Sequence, residues 1–363
     1  MQRILVSELK PGMVTARNIF SSDGQMLLSS DTSVTESYVR RLHELGVYAI
    51  YVHNPFFEDV EIPVVISEDT RIASVQTVKR GFEVLRNKRS DLDLDDIQQA
   101  ARRIVTEILR NRQALIHLTE IRTHDDYTFA HSVDVCTLAI LVAVQLGYAE
   151  NRLHELAIGS LLHDIGKIRI DEELLKKPTR LNDDEMAIMR AHTLFGFEIL
   201  RNQKGELSFP SMHIALQHHE KYDGTGYPRG LKRDEIHEFS RIVSVVDVYD
   251  AITSDRPYRK ALLPHEAHEL MVVSANQHFD PKLLTIFLDK IAVYPVGTVV
   301  RLTTGDIGVV TFVAPDMQAR PTVRLIMDKH RRLYPGVTKL DMRNHLTVFV
   351  DQVVDGKKLF NLI

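Results

Sequence analysis

Apolar positions recur along the chain with two different periods, and the changes between them divide it. Near the N-terminus, Val14 to Phe20 and Met26 to Ser29 read as short strands around the turn signal Ser22-Asp23-Gly24. Thr35 is placed to cap a helix over Glu36 to Leu45, closed by Gly46, and Val47 to Val52 returns as a strand. From Thr70 to Leu118 the spacing turns helical: Val75, Val78, Phe82 and Leu85 share one face, and Ile97, Ile104, Ile108 and Leu115 continue it. The acidic run Asp91 to Asp96 between these series suits a helix N-terminus. Helices continue from about Thr123 to Tyr294, separated by loops rich in His, Asp, Gly and Pro. After Pro295 the period shortens again. Thr298 to Leu302, Gly308 to Phe312, Thr322 to Met327 and Leu346 to Val350 read as strands divided by turn residues such as Gly305 and Gly336.

The pattern predicts a multidomain, mainly α protein. A small α/β module spans 1–65, a helical linker 66–122, an all-helical domain 123–293 and a small β-barrel-like domain 294–363. A length of 363 residues suits two or three compact units. The amphipathic linker helices can pack at home or form a dimer seam, so a homodimer stays open.

Charge and composition remove several classes of function. With 45 basic and 49 acidic residues the net charge is −4, which is no general surface for DNA or RNA. The start, Met-Gln-Arg-Ile-Leu-Val, lacks the apolar core of a secretory signal. No run reaches the roughly 18 apolar residues of a membrane span; Ala139 to Leu146 reads as a buried helix. Cys136 is the only cysteine, so there is neither an internal disulfide nor a cysteine zinc cluster. A cytoplasmic protein without membrane attachment is expected.

Histidine is the outlier, with 17 in the chain. His131, the pair His163-Asp164, His192, the run His218-His219-Glu220 and Asp247 each stand at the edge of an apolar helical stretch. Burying a carboxylate or several imidazoles without partners costs several kcal/mol per group, roughly speaking, and one cation can compensate several at once. Mixed imidazole and carboxylate donors suit iron, manganese or zinc better than magnesium or calcium. Asp164 has two oxygens with which to bridge two ions, and such a pair can clamp a phosphoryl centre.

These stretches resemble a known family. His163-Asp164 is similar to the signature doublet of HD-domain phosphohydrolases, and Asp223-Gly224-Thr225-Gly226-Tyr227-Pro228 resembles the motif of the HD-GYP subfamily, which hydrolyses cyclic di-GMP. The likeness runs over about Thr123 to Leu284. It implies a phosphoric diester hydrolase that converts cyclic di-GMP to pGpG, and that further to GMP, through a metal-bridging hydroxide. A receptor with little turnover, and an enzyme for another cyclic dinucleotide or a nucleotide, remain as alternatives.

By the same resemblance His131, His163, Asp164, His192, His218, His219 and Asp247 are metal ligands, for two divalent ions. Iron or manganese is expected first, with zinc and nickel as alternatives. Asp164 and Lys167 are the catalytic pair, and Lys167, Tyr227, Arg256 and Arg259 bind substrate. Asp125 and Glu220 stand behind the ligands as hydrogen-bond partners. Some members bind a third metal through a glutamate one helical turn before the first histidine; Tyr127 occupies that position here, which favours two. The loop carrying Tyr227 is also expected to meet signalling partners.

Overall fold

A computed structural model describes residues 1–21, 25–45, 47, 49–57, 60–61, 63–87, 91–112, 115–116, 127–177, 179–205, 207–254 and 261–354. The chain divides into two compact units. One comprises Met1–Val64, Gln113–Tyr127 and Ile291–Ile363; the other comprises Val65–Arg112 and Thr128–Lys290.

In the first unit, β1 (Gln2–Leu5), β2 (Ile19–Phe20), β3 (Met26–Leu28), α1 (Glu36–Glu44) and β4 (Ala49–Val52) come from the N-terminal part. β1 runs antiparallel to β4, and β2 antiparallel to β3. Thr35 caps α1 by accepting a hydrogen bond from the Tyr38 N–H at 3.3 Å. Only the end of the Val14 to Phe20 run pairs as a strand; Val14 and Thr15 make single bridges. β1 was not expected. Its residues are short of apolar signal, and it gains its order from β4.

The C-terminal part adds β5 (Val299–Leu302), β6 (Ile307–Phe312), β7 (Thr322–Met327), β8 (Leu333–Asp341) and β9 (Val350–Val353). They form an antiparallel sheet in the order β8-β7-β6-β5-β9. Gly336, expected as a turn, lies inside β8 at φ +67°, where the ladder between Leu325 and Met327 slips. Pro335-Gly336 reads locally as a turn, and here it makes a bulge on an edge strand. The last strand begins at Val350, later than Leu346 to Val350 suggests. Tyr51, Phe57 and Val60 share one core with Val300, Val309, Val310 and Val323. The N- and C-terminal segments, expected as separate modules, therefore fold as one unit.

The second unit is helical: α2 (Glu68–Arg86), α3 (Leu94–Arg110), α4 (Tyr127–Gln145), α5 (Glu150–Leu161), α6 (Glu172–Leu175), α7 (Asp183–Arg190), α8 (His192–Arg201), α9 (Phe209–Gln217), α10 (Glu238–Thr253), α11 (Pro264–Val273) and α12 (Pro281–Leu288). Asp93 caps α3 by accepting from the Asp95 and Asp96 N–H groups, so the acidic run does start a helix. α2 and α3, expected as a linker, belong to this body. α2 packs on α3, α3 on α5, α5 on α9, and α9 on α8 and α10. Arg71 of α2 forks onto Asp134 of α4 at 3.2–3.3 Å. Thr128–Gln145 of α4 is long and apolar enough to cross a membrane, which the shorter Ala139 to Leu146 run had not suggested, yet most of it is buried inside the unit. Val133, Val135, Ile140 and Leu141 are all fully buried, as an all-round apolar core helix requires.

Candidate metal centre

The expected ligands sit at or near helix ends. His131 lies in the second turn of α4, and His163-Asp164 follow α5 and lead into a 3-10 turn, Ile165–Arg169. His192 opens α8, His218 closes α9 with His219 next, and Asp247 lies in α10. Gly166 lets these elements approach. A Cβ there would fall 1.9 Å from the His192 carbonyl oxygen and 2.5 Å from the Gly196 nitrogen. No side chain fits that gap without parting the Asp164 turn from α8.

Asp164 is 1% exposed, and three imidazoles surround it. The Nδ1 atoms of His163, His192 and His218 face the carbonyl oxygens of Ser160, Met189 and Ile214 at 2.7, 2.7 and 2.9 Å. A carbonyl only accepts, so each Nδ1 is assigned the proton and each Nε2 keeps its lone pair. Those Nε2 atoms turn toward Asp164. His163 lies 3.4 Å from Oδ2, and His192 and His218 lie 3.5 and 3.8 Å from Oδ1. The Nε2 atoms of His192 and His218 are 3.3 Å apart. Burial holds His163 and His192 below the ordinary imidazole pKa and His218 well below it, so all three are neutral at pH 7.

Lone pairs thus face lone pairs in a buried pocket. His163 Nε2 and Asp164 Oδ1 have no hydrogen-bond partner among the described residues. Such groups cost about 1–3 kcal/mol each when left unmet. The donor set fits a divalent cation: neutral nitrogens, an ionised carboxylate, and Nδ1–H groups anchored from behind. Burial works to raise the Asp164 pKa, but Lys167, whose Nζ bonds Oδ2, holds it well below the carboxylate range.

A second focus adjoins the first. His131 Nε2 is 3.0 Å from Asp247 Oδ1, and its Nδ1 is 2.6 Å from Asp250 Oδ2. Burial lowers the His131 pKa, but these two carboxylates outweigh it and raise it well above the ordinary value. Burial likewise works to raise Asp247, and the bonded His131 leaves it well below its usual range. His219 Nδ1 approaches Asp247 Oδ2 at 3.8 Å, and burial takes its pKa down to about 3. The ligand atoms of His192, His218 and His219 lie within 4.8 Å of one another, as do those of His131, His163 and Asp164.

The loop after His219 closes over this cluster. Gly224 adopts φ +86°, and a Cβ on Gly226 would fall 2.2 Å from the Lys221 nitrogen and 2.5 Å from the Glu220 Cα. Tyr227 packs its ring on His219, with centroids 4.9 Å apart, and its N–H donates to the His219 carbonyl. Burial and the nearby Asp247 raise the Tyr227 pKa, so its hydroxyl remains a donor. Glu220 is not turned toward the ligands. It is 1% exposed and accepts from the Arg229 and Leu231 N–H groups at 2.8 and 3.0 Å, which pins the loop.

The seven expected ligands and Lys167 and Tyr227 therefore come together. Asp125, Arg256 and Arg259 lie outside the described residues, as does the Tyr127 side chain. Two contributors were missed. Asp250 stands one helical turn after Asp247 and orients His131, a spacing visible in Asp247-Val248-Tyr249-Asp250. Gly166 had a signal only in standing two residues after Asp164.

Residues 103–283 match the family model described as an HD domain, and residues 299–362 match a KOW domain associated with HD domains. A cyclic di-GMP phosphodiesterase of Pseudomonas aeruginosa is 42% identical over 207 residues, 57% of this chain and 50% of that protein. The 3'3'-cGAMP-specific phosphodiesterase 2 of Vibrio cholerae is 35% identical over 175 residues, 48% of this chain and 33% of that protein. The chain spans about half the length, or less, of the curated relatives it matches. In fold it is similar to an HDG"Y"P protein of Bdellovibrio bacteriovorus, with a TM-score of 0.50 at 21% identity over 79% of this chain and 98% of that one. With its buried His163-Asp164 doublet, the stretch 103–283 of this chain belongs to the HD domain family.

Proposed function

We propose that the helical unit is a metal-dependent phosphodiesterase that hydrolyses cyclic di-GMP to linear pGpG, with GMP as the product of a second cut. One observation carries this reading: three neutral imidazoles aim their lone pairs at one buried carboxylate, Asp164. A divalent cation reconciles those groups by giving all of them one positive partner. Asp164, with an oxygen toward each of the two ligand groups, would hold two divalent ions together with His131, His163, His192, His218, His219 and Asp247. Iron or manganese suits this mixed set best, with zinc and nickel next. When bound, such ions lower the pKa of coordinated water and neutralise phosphoryl charge.

The remaining roles belong to the protein's own side chains. Lys167 brings positive charge to the edge of the cluster and takes a phosphoryl oxygen. Tyr227 donates its hydroxyl beside the substrate and walls off water with its ring. Asp250 holds the His131 ring in one orientation. Glu220 keeps the Tyr227 loop in place. Asp125, Arg256 and Arg259 keep the roles the family resemblance implies. The names of the relatives support the substrate class. A 3'3'-cGAMP-specific relative at 35% identity supports a second substrate, a mixed cyclic dinucleotide.

The rest of the proposal concerns context. The catalytic region is centred on 123–293 and includes α2 and α3. Register slips in the β5–β9 sheet support curling toward a barrel. We place the protein in the cytoplasm, with the Tyr227 loop as a partner contact and a homodimer as the assembly. The test is turnover of cyclic di-GMP and 3'3'-cGAMP by protein purified without oxygen and loaded with Mn²⁺ or Fe²⁺. Linear pGpG is expected from cyclic di-GMP. No cleavage of either substrate with either metal overturns the reading.

A further inference from the structure

Several basic side chains around the helical core have an acidic mate. Lys167 bonds Asp164, Arg169 meets Glu198 at 2.6 Å, and Arg241 meets Asp234 and Asp280 at 3.0 and 2.9 Å. Arg190 does not. It ends α7 two residues before His192, it is exposed, and it pairs with no carboxylate among the described residues. Its guanidinium lies over the Tyr227 ring, 5.2 Å from the centroid, and that same ring packs on His219.

A helix C-terminus favours a cation, and an aromatic face favours a guanidinium. Those two effects explain the charge and the stacking, but they leave the N–H groups of the fork facing water. A guanidinium over a ring has lost rotamer freedom without using its hydrogen bonds, so an incoming anion meets a donor already in place. The anion that fits a planar fork is a phosphate or a carboxylate, bound by two parallel N–H···O bonds. The flanking chain fixes where that anion would sit. Arg190 precedes a ligand of the cluster, and Tyr227 touches another, so the fork stands at the rim of the metal centre.

We propose that Arg190 is a phosphate-binding residue for the substrate, holding a phosphate group of a cyclic dinucleotide beside Tyr227. This rests on the phosphodiesterase reading and adds a residue to it. Charge at this rim acts on binding more than on bond cleavage, because the ligands of the metal centre are untouched. Arg190→Lys keeps the charge but loses the fork, so it separates phosphate chelation from plain attraction.

The experiment compares wild type, Arg190→Ala and Arg190→Lys, each loaded with Mn²⁺. Steady-state turnover of cyclic di-GMP, its direct equilibrium binding, and metal content are measured on each. Arg190→Ala should weaken binding and raise KM by about tenfold or more, with the larger effect in KM than in kcat and with wild-type metal content. Arg190→Lys should recover only part of the loss. Equal binding and KM in all three proteins overturns the proposal, and so does a variant whose metal content falls in step with its activity. If wild type binds cyclic di-GMP without cleaving it, the phosphodiesterase reading fails, while the three affinities still decide the role of Arg190. If wild type neither binds nor cleaves it, both are overturned.

Discussion

The two units of this chain bury polar groups in opposite ways. Among the described residues, the unit built from the two ends of the chain buries only Gln2, Thr15 and Asn54 as polar side chains. All three are neutral and matched: Asn54 donates to Gln2 at 2.7 Å, and Thr15 donates to the Ser29 carbonyl at 2.7 Å. Its ion pairs, such as Arg343 with Asp341, stay at the surface. The helical unit holds every buried histidine, aspartate and glutamate of the described residues. Several of these charges are matched within the protein: Asp134 by Arg71, Glu220 by two backbone N–H groups, and Asp247 and Asp250 by His131. At Asp164 Lys167 matches one oxygen, but Oδ1 and the surrounding Nε2 atoms are acceptors that face acceptors. Among the described residues the buried Tyr249 hydroxyl also lacks a hydrogen-bond partner, but around Asp164 several acceptors converge on one point, and that cluster is left to be completed by something else.

Substitutions sharpen or break that contrast, and the largest effect belongs to Asp164. Asp164→Ala should cut turnover of cyclic di-GMP at least about a thousandfold while the far-ultraviolet circular dichroism stays helical. A variant that keeps near wild-type turnover breaks the contrast outright. Next comes Asp250→Asn, which removes the charged partner of His131 Nδ1 and should weaken metal binding about 10–100-fold in a competitive chelator titration. Unaltered affinity would reduce Asp250 to a packing residue. Gly166→Ala drives a methyl group against the His192 carbonyl, and should cost about 1–3 kcal/mol in denaturant unfolding along with part of the bound metal. Full stability and full metal content would mean that this close approach is slack. Smallest is the surface pair of the other unit: Arg343→Ala should change stability by less than about 1 kcal/mol and leave metal content alone. Loss of metal in that variant would show that the two units are not independent in this respect.

The ligand set was legible because its chemistry is incongruous where it stands. Asp164 among Leu161, Leu162 and Ile165, and Asp247 among valines, have no bland reading once five such places occur in one helical stretch. Asp250 escaped because a carboxylate near the end of a helix looks like ordinary solvated charge; α4 lying alongside brings His131 to it. Gly166 escaped because its neighbour is the backbone of His192, which no local pattern announces. Glu220 was expected behind the ligands because it adjoins His219, yet its side chain turns to the loop it precedes. In the other unit the elements were harder to read. β1 depends on β4 for its order, and β8 hides a bulge that looks like a turn. The shared core of the two chain ends, Tyr51 and Phe57 against Val300 and Val310, joins residues too far apart in sequence for any periodicity to link.

The central claim is that cations complete the cluster around Asp164. Metal content and turnover, measured together on protein purified without oxygen, test it most directly. Wild type should carry about two ions per chain, lose cyclic di-GMP turnover when a chelator strips them, and regain it with Mn²⁺ or Fe²⁺; Asp164→Ala should hold far less metal under the same conditions. Stripped protein that still cleaves cyclic di-GMP, or an Asp164→Ala variant that keeps its full metal complement, would contradict the account.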